Sequence, residues 1–333
     1  ILKGEERRQR KEITMILTEE KTYSMSLMLE DCSSTPGLNK KSYELEFTNR
    51  ELIHAVFTCG MPIQRLTPAY PGKRQTEFLM KIAMIETALE AEGDRLKKSH
   101  ELDYLDSGEK SMISYYVGMV LTKLISGKLF HLDYLTHINL IPDPEKEGYI
   151  DVCGMRRSDL IGYQRKSKAY SVWGAKGRSE NSPRALENGC ILAQSVKSIC
   201  GQNPQSAAVC MTYYENSYLT AYIKQPKMKG ECELNFQQKE YYKAYYRPMM
   251  EFFRESSAQT VLTEENCREV TMYLPYFTNQ KPEDLRRRVT IGIPCKIYEA
   301  IRQEDYERLQ GEVTFADETE RHICAGQDYI YIK

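Results

Sequence analysis

The sequence predicts an α/β protein built on a mixed β-sheet flanked by helices. Three observations predict it. A strand–helix–strand unit spans about 169–214, and such a unit makes a right-handed crossover between parallel strands. Ahead of it the chain runs helix, strand, hairpin, so antiparallel strands precede the parallel pair. The composition, 41% hydrophobic and 28% charged over 333 residues, supplies apolar surface for a large core.

The elements follow in order. KSYELEFTNRELIHAVFTCG reads as a strand and then a short helix. In KRQTEFLMKIAMIETALEAEGDRLKK, Phe78, Ile82, Ile85 and Leu89 recur at helical spacing, and Gly93 is the expected stop. The polar stretch SHELDYLDSGEK is the expected boundary in the first half. SMISYYVGMVLTKLISGK is a second amphipathic helix, with a stripe of Ile113, Tyr116, Val120 and Leu124 and an expected stop at Gly127. Gly118 inside it costs about 1 kcal/mol against Ala, which points to a close backbone approach. LFHLDYLTHINLI reads as a strand and PDPEKEG as a turn. SDLIGYQRKSKAYSVWGAKGRS reads as two strands around a polar turn. NSPRALENGCILAQSVKSICG is a helix with Ser182 as N-cap, Pro183 in the first turn and Gly201 as its stop. SAAVCMTYY and SYLTAYIK are strands around the turn ENS. FQQKEYYKAYY opens another helix, which Pro248 is expected to kink or end. The tail returns to strands in RRVTIGIPCKIY and DYIYIK, with EAIRQEDYERLQ helical between them. These elements divide into an N-terminal, mostly helical region over 1–104, a core over 105–230 and a C-terminal α+β region over 231–333 that packs on the core.

Several function classes drop out. The formal net charge is −1, so overall charge gives no case for nucleic-acid binding. No apolar run reaches the roughly 18 residues of a membrane span, and the start lacks the apolar centre of a signal peptide. The ten cysteines are scattered, with no CxxC pair, which argues against structural zinc and for a reducing cytoplasm. The five histidines form no metal motif, and no P-loop, GxGxxG or GxSxG occurs.

The chemistry gathers around Lys176. Residues i and i+2 of a strand share a face, so Tyr170, Val172, Gly174 and Lys176 point one way and Trp173 the other, into the core. A hairpin turn at QRKSK, or one residue longer, sets Asp159 opposite Trp173 or Gly174, so an acid and a lysine converge beside the helix that starts near Ser182. Glycine is a poor choice in the middle of such a strand.

Here the sequence resembles a family. Asp159, a spacer of fourteen residues and then Gly-Ala-Lys looks like the PD-(D/E)xK motif of restriction-endonuclease-like nucleases. SDLIG and AKGRS are similar to the PDLIG and EAKGR wording of bacterial members. The order helix, strand, motif hairpin, helix, strand also matches, over roughly 105–225. Two positions depart: Ser158 stands where the family often has proline, and Gly174 where it has Glu or Asp.

The resemblance implies a restriction-endonuclease-like fold with N- and C-terminal additions. It implies Mg²⁺ or Mn²⁺ chemistry, with Asp159 and the Ala175 carbonyl as metal ligands and Lys176 positioning the attacking water. Gly174 supplies no ligand, and Asp159 with Lys176 is formally neutral, so the ion is held weakly if at all. Three readings of Gly174 stand: natural loss in a pseudo-nuclease, a single-base change from a Glu codon, or migration of the acid to Glu187 on the next helix. The first two are favoured. Gln194 matches a glutamine that some members use to steady the site, or is a polar residue on a solvated face. Glu109 is a further candidate acid. Asp159 and Lys176 can also be read as a structural ion pair.

Between Met155 and Cys200 nine basic residues face three acidic ones. A basic stripe of that kind suits phosphate contact; Arg178, Arg184 and Arg157 are the candidates, while Arg165, Lys166 and Lys168 fit a solvated hairpin tip equally well. The implied function is a Mg-dependent nuclease-like protein of bacterial defence, cytoplasmic, with DNA as the first partner and a second copy or a defence-system protein as others. The alternative is a non-catalytic nucleic-acid-binding or assembly protein on the same fold.

Overall fold

A computed structural model describes residues 16–17, 20–32, 38, 41–59, 74–142, 158–264, 266–274, 288–309, 324–325 and 328–333. The alternation in TYSMSLMLE makes β1 (Thr22–Glu30), whose Tyr23, Met25, Leu27 and Leu29 are buried. No strand is expected there from the sequence reading. It pairs antiparallel with β2 (Ser42–Thr48), and Thr48 caps α1 (Asn49–Thr58) through a reciprocal capping box with Glu51. Next comes α2 (Arg74–Ala88), which stops at Ala88 and not at Gly93. Beyond it β3 (Leu89–Glu92) and β4 (Arg95–Lys98) form a hairpin, and Gly93, at φ +66°, is the turn residue that this hairpin needs.

The polar stretch after β4 holds α3 (Glu101–Tyr104) and the start of α4 (Ser107–Phe130). Asp106 accepts from Gly108 and Glu109 backbone N–H, and the Glu109 carboxylate accepts from Asp106 N at 3.1 Å. α4 runs through Gly127 because buried Leu124, Ile125 and Phe130 hold its last turn, and it ends at His131 in the left-handed region.

Then follow β5 (Tyr134–His137), β6 (Leu160–Gln164), β7 (Ala169–Gly177) and α5 (Pro183–Gln194). Ser182 caps α5 as expected. The helix ends before Gly201, because Val196 and Ile199 are buried in β8 (Val196–Ile199). β9 (Ser206–Glu215) and β10 (Tyr218–Lys224) turn through Asn216 and Ser217, both at positive φ. β11 (Cys232–Leu234) pairs with β8 in a small parallel sheet.

The main sheet has nine strands in the order β2-β1-β4-β10-β9-β7-β6-β5, with β3 added on β4. β6 pairs antiparallel with both β5 and β7, and β7 pairs parallel with β9 across α5, as the strand–helix–strand unit predicts. The architecture is therefore mixed α/β, a large mixed sheet flanked by helices. The described residues of 1–104, expected to be mostly helical, hold four strands as well as three helices, because β1 and β4 pair with β10.

α4 lies on one face of β7 at very short range. A Cβ on Gly118 would sit 2.6 Å from Gly177 N, and one on Gly177 would sit 1.6 Å from Ser114 O. Both glycines are demanded by this contact.

The C-terminal part holds α6 (Gln238–Glu255), β12 (Thr260–Leu262), β13 (Cys267–Tyr273), β14 (Arg288–Pro294), α7 (Cys295–Arg302), β15 (Cys324–Ala325) and β16 (Tyr331–Ile332). α6 is one helix through Pro248 and does not end there, since Tyr241, Tyr245, Met249 and Phe252 form one buried stripe across it. The five strands make a second sheet, β12-β13-β14-β16-β15. Among the described residues no helix is long and apolar enough to cross a membrane.

Candidate active site at the end of the β6–β7 hairpin

The β6–β7 ladder ends at Leu160 opposite Trp173, so the next residues to face each other are Asp159 and Gly174. Two bonds fix the Asp159 backbone. Ile138 N donates to Asp159 O at 3.1 Å, and the neighbouring Ser158 hydroxyl donates to Trp173 O at 2.8 Å. The Asp159 carboxylate then turns over the strand end. Its Oδ2 accepts from Ala175 N at 3.0 Å and from Lys176 Nζ at 2.6 Å. The side chains keep 24% and 17% exposure, so the pair is open to solvent on one side. In a strand the N–H and C=O of one residue point to the same side. The Ala175 carbonyl therefore points, like its N–H, past the end of β6.

Lys176 is held from the other side by α5. A Cβ on Gly189 would lie 3.5 Å from Lys176 Cε and 2.8 Å from Val209 Cγ1, so this glycine makes room for both. Gly174 differs. Its φ is not positive, and the three atoms nearest an added Cβ all belong to the Val209 side chain, the first at 3.3 Å. Neither backbone conformation nor a backbone clash requires glycine at 174.

The charge of Asp159 reaches Tyr115 of α4. Burial pushes its phenol pKa up, and the charge of Asp159 adds to the shift. The sequence reading missed Tyr115 and Gly189. A glycine inside an amphipathic helix was the one signal for Gly189, while Tyr115 gave none among the many tyrosines. Trp173 is fully buried, edge-on to Phe130 at 4.8 Å, on the face away from Lys176.

The other candidates are not brought to the pair. Gly189 faces Lys176, and Glu187, two positions back, is rotated about 200° from it on the helix and is exposed. Gln194 is half-buried near the end of α5, and its carbonyl accepts from Lys229 N. Glu109 is engaged in the α4 cap. Arg178 and Arg184 are exposed, with Arg178 Nη1 donating to Gly177 O at 2.8 Å. Arg157 lies outside the described residues. Arg165 is no solvated tip: it donates to Asp133 through its backbone N (2.7 Å) and its Nε (3.0 Å), and to Leu309 O and Tyr329 through Nη1. Lys197 pairs with Glu233.

The chain matches no family model, no curated protein and no solved structure.

As the residues stand, the site offers one carboxylate, already bonded to an ammonium group, and one carbonyl. Among the described residues no cluster of three His, Cys, Asp or Glu side chains could hold a metal ion. A divalent cation fits this set poorly, because Lys176 neutralises the only acid. What the arrangement can do is present an ammonium and a backbone edge to a phosphodiester.

Proposed function

We propose that this chain carries a nuclease-type phosphodiester site on a restriction-endonuclease-like core, acts on DNA, and lacks one metal-holding carboxylate at Gly174. The observation that carries the reading is the Asp159–Lys176 contact at 2.6 Å at the open end of the motif hairpin. The α4–β5–β6–β7–α5–β9 order, with its antiparallel triple and parallel fourth strand, supports it. So does the glycine comparison. Gly177 and Gly118 are sterically required and Gly174 is not, as expected where a larger residue has been lost. In this reading Lys176 meets the phosphate or its attacking water, Asp159 orients Lys176, and Arg178 and Arg184 neutralise flanking phosphates. A role in bacterial defence rests on the family resemblance alone.

The second reading, a nucleic-acid binder without catalysis, is favoured by the Asp159–Lys176 bond itself. It leaves the lone acid engaged and the site short of charge for a cation. One experiment separates the two. Plasmid and single-stranded DNA are incubated with Mg²⁺ or Mn²⁺ and the chain as it stands, Gly174→Glu, and Gly174→Glu with Lys176→Ala. Cleavage confined to Gly174→Glu and abolished by Lys176→Ala supports the impaired nuclease. No cleavage in any variant, with salt-sensitive DNA binding retained, supports the binder. Neither cleavage nor DNA binding contradicts both.

A further inference from the structure

The groove between the end of α6, the edge strand β12, β13 and α7 encloses a cavity of about 320 Å³. Small-ligand sites begin near ~300 Å³. Phe253, Leu262 and Tyr298 give the groove apolar walls, and Leu262 is 64% exposed, far more than a core leucine. Arg254 and Arg268 place two guanidinium groups in the same wall, and Ser257 adds a hydroxyl.

The charges there do not balance. Arg254 is exposed on the last turn of α6, and no carboxylate among the described residues pairs with it. Arg268 lies over the Tyr298 ring at 4.3 Å and reaches Glu299 only at 3.5 Å. Arg302 holds that same carboxylate more closely, at 2.7 Å. Arg268 Nε finds no acceptor among the described residues. Guanidinium in excess beside flat aromatic rings is chemistry for an anion attached to a planar group. The fork takes phosphate oxygens, and the rings stack.

We propose that this groove binds a phosphate monoester carried on a planar aromatic ring, of about mononucleotide size. Arg254 and Arg268 take the phosphate, the half-buried Tyr298 and the exposed Leu262 take the ring, and buried Phe253 forms the floor. The site belongs to the second sheet and does not depend on the reading of Asp159 and Lys176.

Isothermal titration of the full chain tests it, with phenyl phosphate, inorganic phosphate and phenol as separate probes. Phenyl phosphate is expected to bind with Kd below about 1 mM, a modest affinity for so small a ligand. Phosphate alone and phenol alone should each bind at least about tenfold more weakly, because each loses one half of the site. Arg254→Ala, an exposed helix position that does not threaten folding, should weaken phenyl phosphate about tenfold or more. Arg268→Gln should do the same. Absence of phenyl phosphate binding overturns the proposal. So does affinity unchanged in Arg254→Ala, or inorganic phosphate binding as tightly as phenyl phosphate.

Discussion

Asp328 and Asp159 both pair with a lysine, and their surroundings differ in every respect that matters. Asp328 is fully buried. It accepts from His54 Nε2 at 2.9 Å, from the Tyr245 hydroxyl and from Ile330 N, with Lys123 Nζ at 3.8 Å. Its partners come from α1, α4 and α6, so one side chain ties the C-terminal segment to three helices. Asp159 draws its side-chain partners from a single hairpin and remains partly exposed. The first carboxylate has its bonding capacity filled, which suits a staple. The second has an open side, which suits a site.

The largest expected effect would break this contrast if it failed. Asp328→Ala strands the buried Lys123 ammonium and leaves His54 and Tyr245 without their acceptor, and should cost about 3–5 kcal/mol in urea unfolding. Asp159→Ala removes a half-open pair and should cost about 1 kcal/mol or less, while abolishing any cleavage gained by Gly174→Glu. Equal losses at the two positions would make Asp159 another staple.

pH sharpens the comparison. Burial alone would raise the Asp328 pKa, but His54, Lys123 and Tyr245 outweigh it and hold the pKa below its ordinary 3.8. A lowered carboxyl pKa gives stability that is present above the unfolded value and lost as pH falls through the folded one. Asp328→Asn should therefore flatten the acid limb of the unfolding curve. Glu86 behaves oppositely. It accepts from Ile16 N and Leu17 N with no cation beside it among the described residues, and burial pushes its pKa up from 4.5 to about 7. Stability should fall as pH rises between those values, and Glu86→Gln should remove that fall, on the order of 2–3 kcal/mol.

The glycines offer a smaller test. Gly177→Ala forces backbone apart and should cost about 1–3 kcal/mol or more. Gly174→Ala meets the Val209 side chain first and no backbone among its nearest atoms, and should cost about 1 kcal/mol or less. A large loss at 174 would mean that packing, and not a missing acid, explains the glycine. The smallest effects belong to the exposed arginines. Arg178→Ala and Arg184→Ala should each lower the salt slope of DNA binding by about 1, read by fluorescence anisotropy.

The hairpin site was legible because its parts lie close in sequence: the strand period fixes which residues share a face, and Ser182 and Pro183 mark the helix beside it. The Asp328 cluster was not, since His54 and Asp328 are 274 positions apart and neither carries a local signal. Helix ends misled in both directions. Gly93 marked a hairpin turn, not a stop, while Pro248 and Gly127 failed to stop helices whose buried stripes run past them. β1 was missed although it sits inside the main sheet. Arg165 read equally as a phosphate contact or a solvated tip, because its partners, Asp133, Leu309 and Tyr329, are remote in sequence.

The most direct test of the missing-carboxylate account is Mn²⁺ binding followed by electron paramagnetic resonance. Gly174→Glu should bind Mn²⁺ at least about tenfold more tightly than the parent chain, and adding Asp159→Asn should remove the gain. Equal, weak binding by parent and Gly174→Glu would contradict the account, and so would a gain that survives loss of the Asp159 charge.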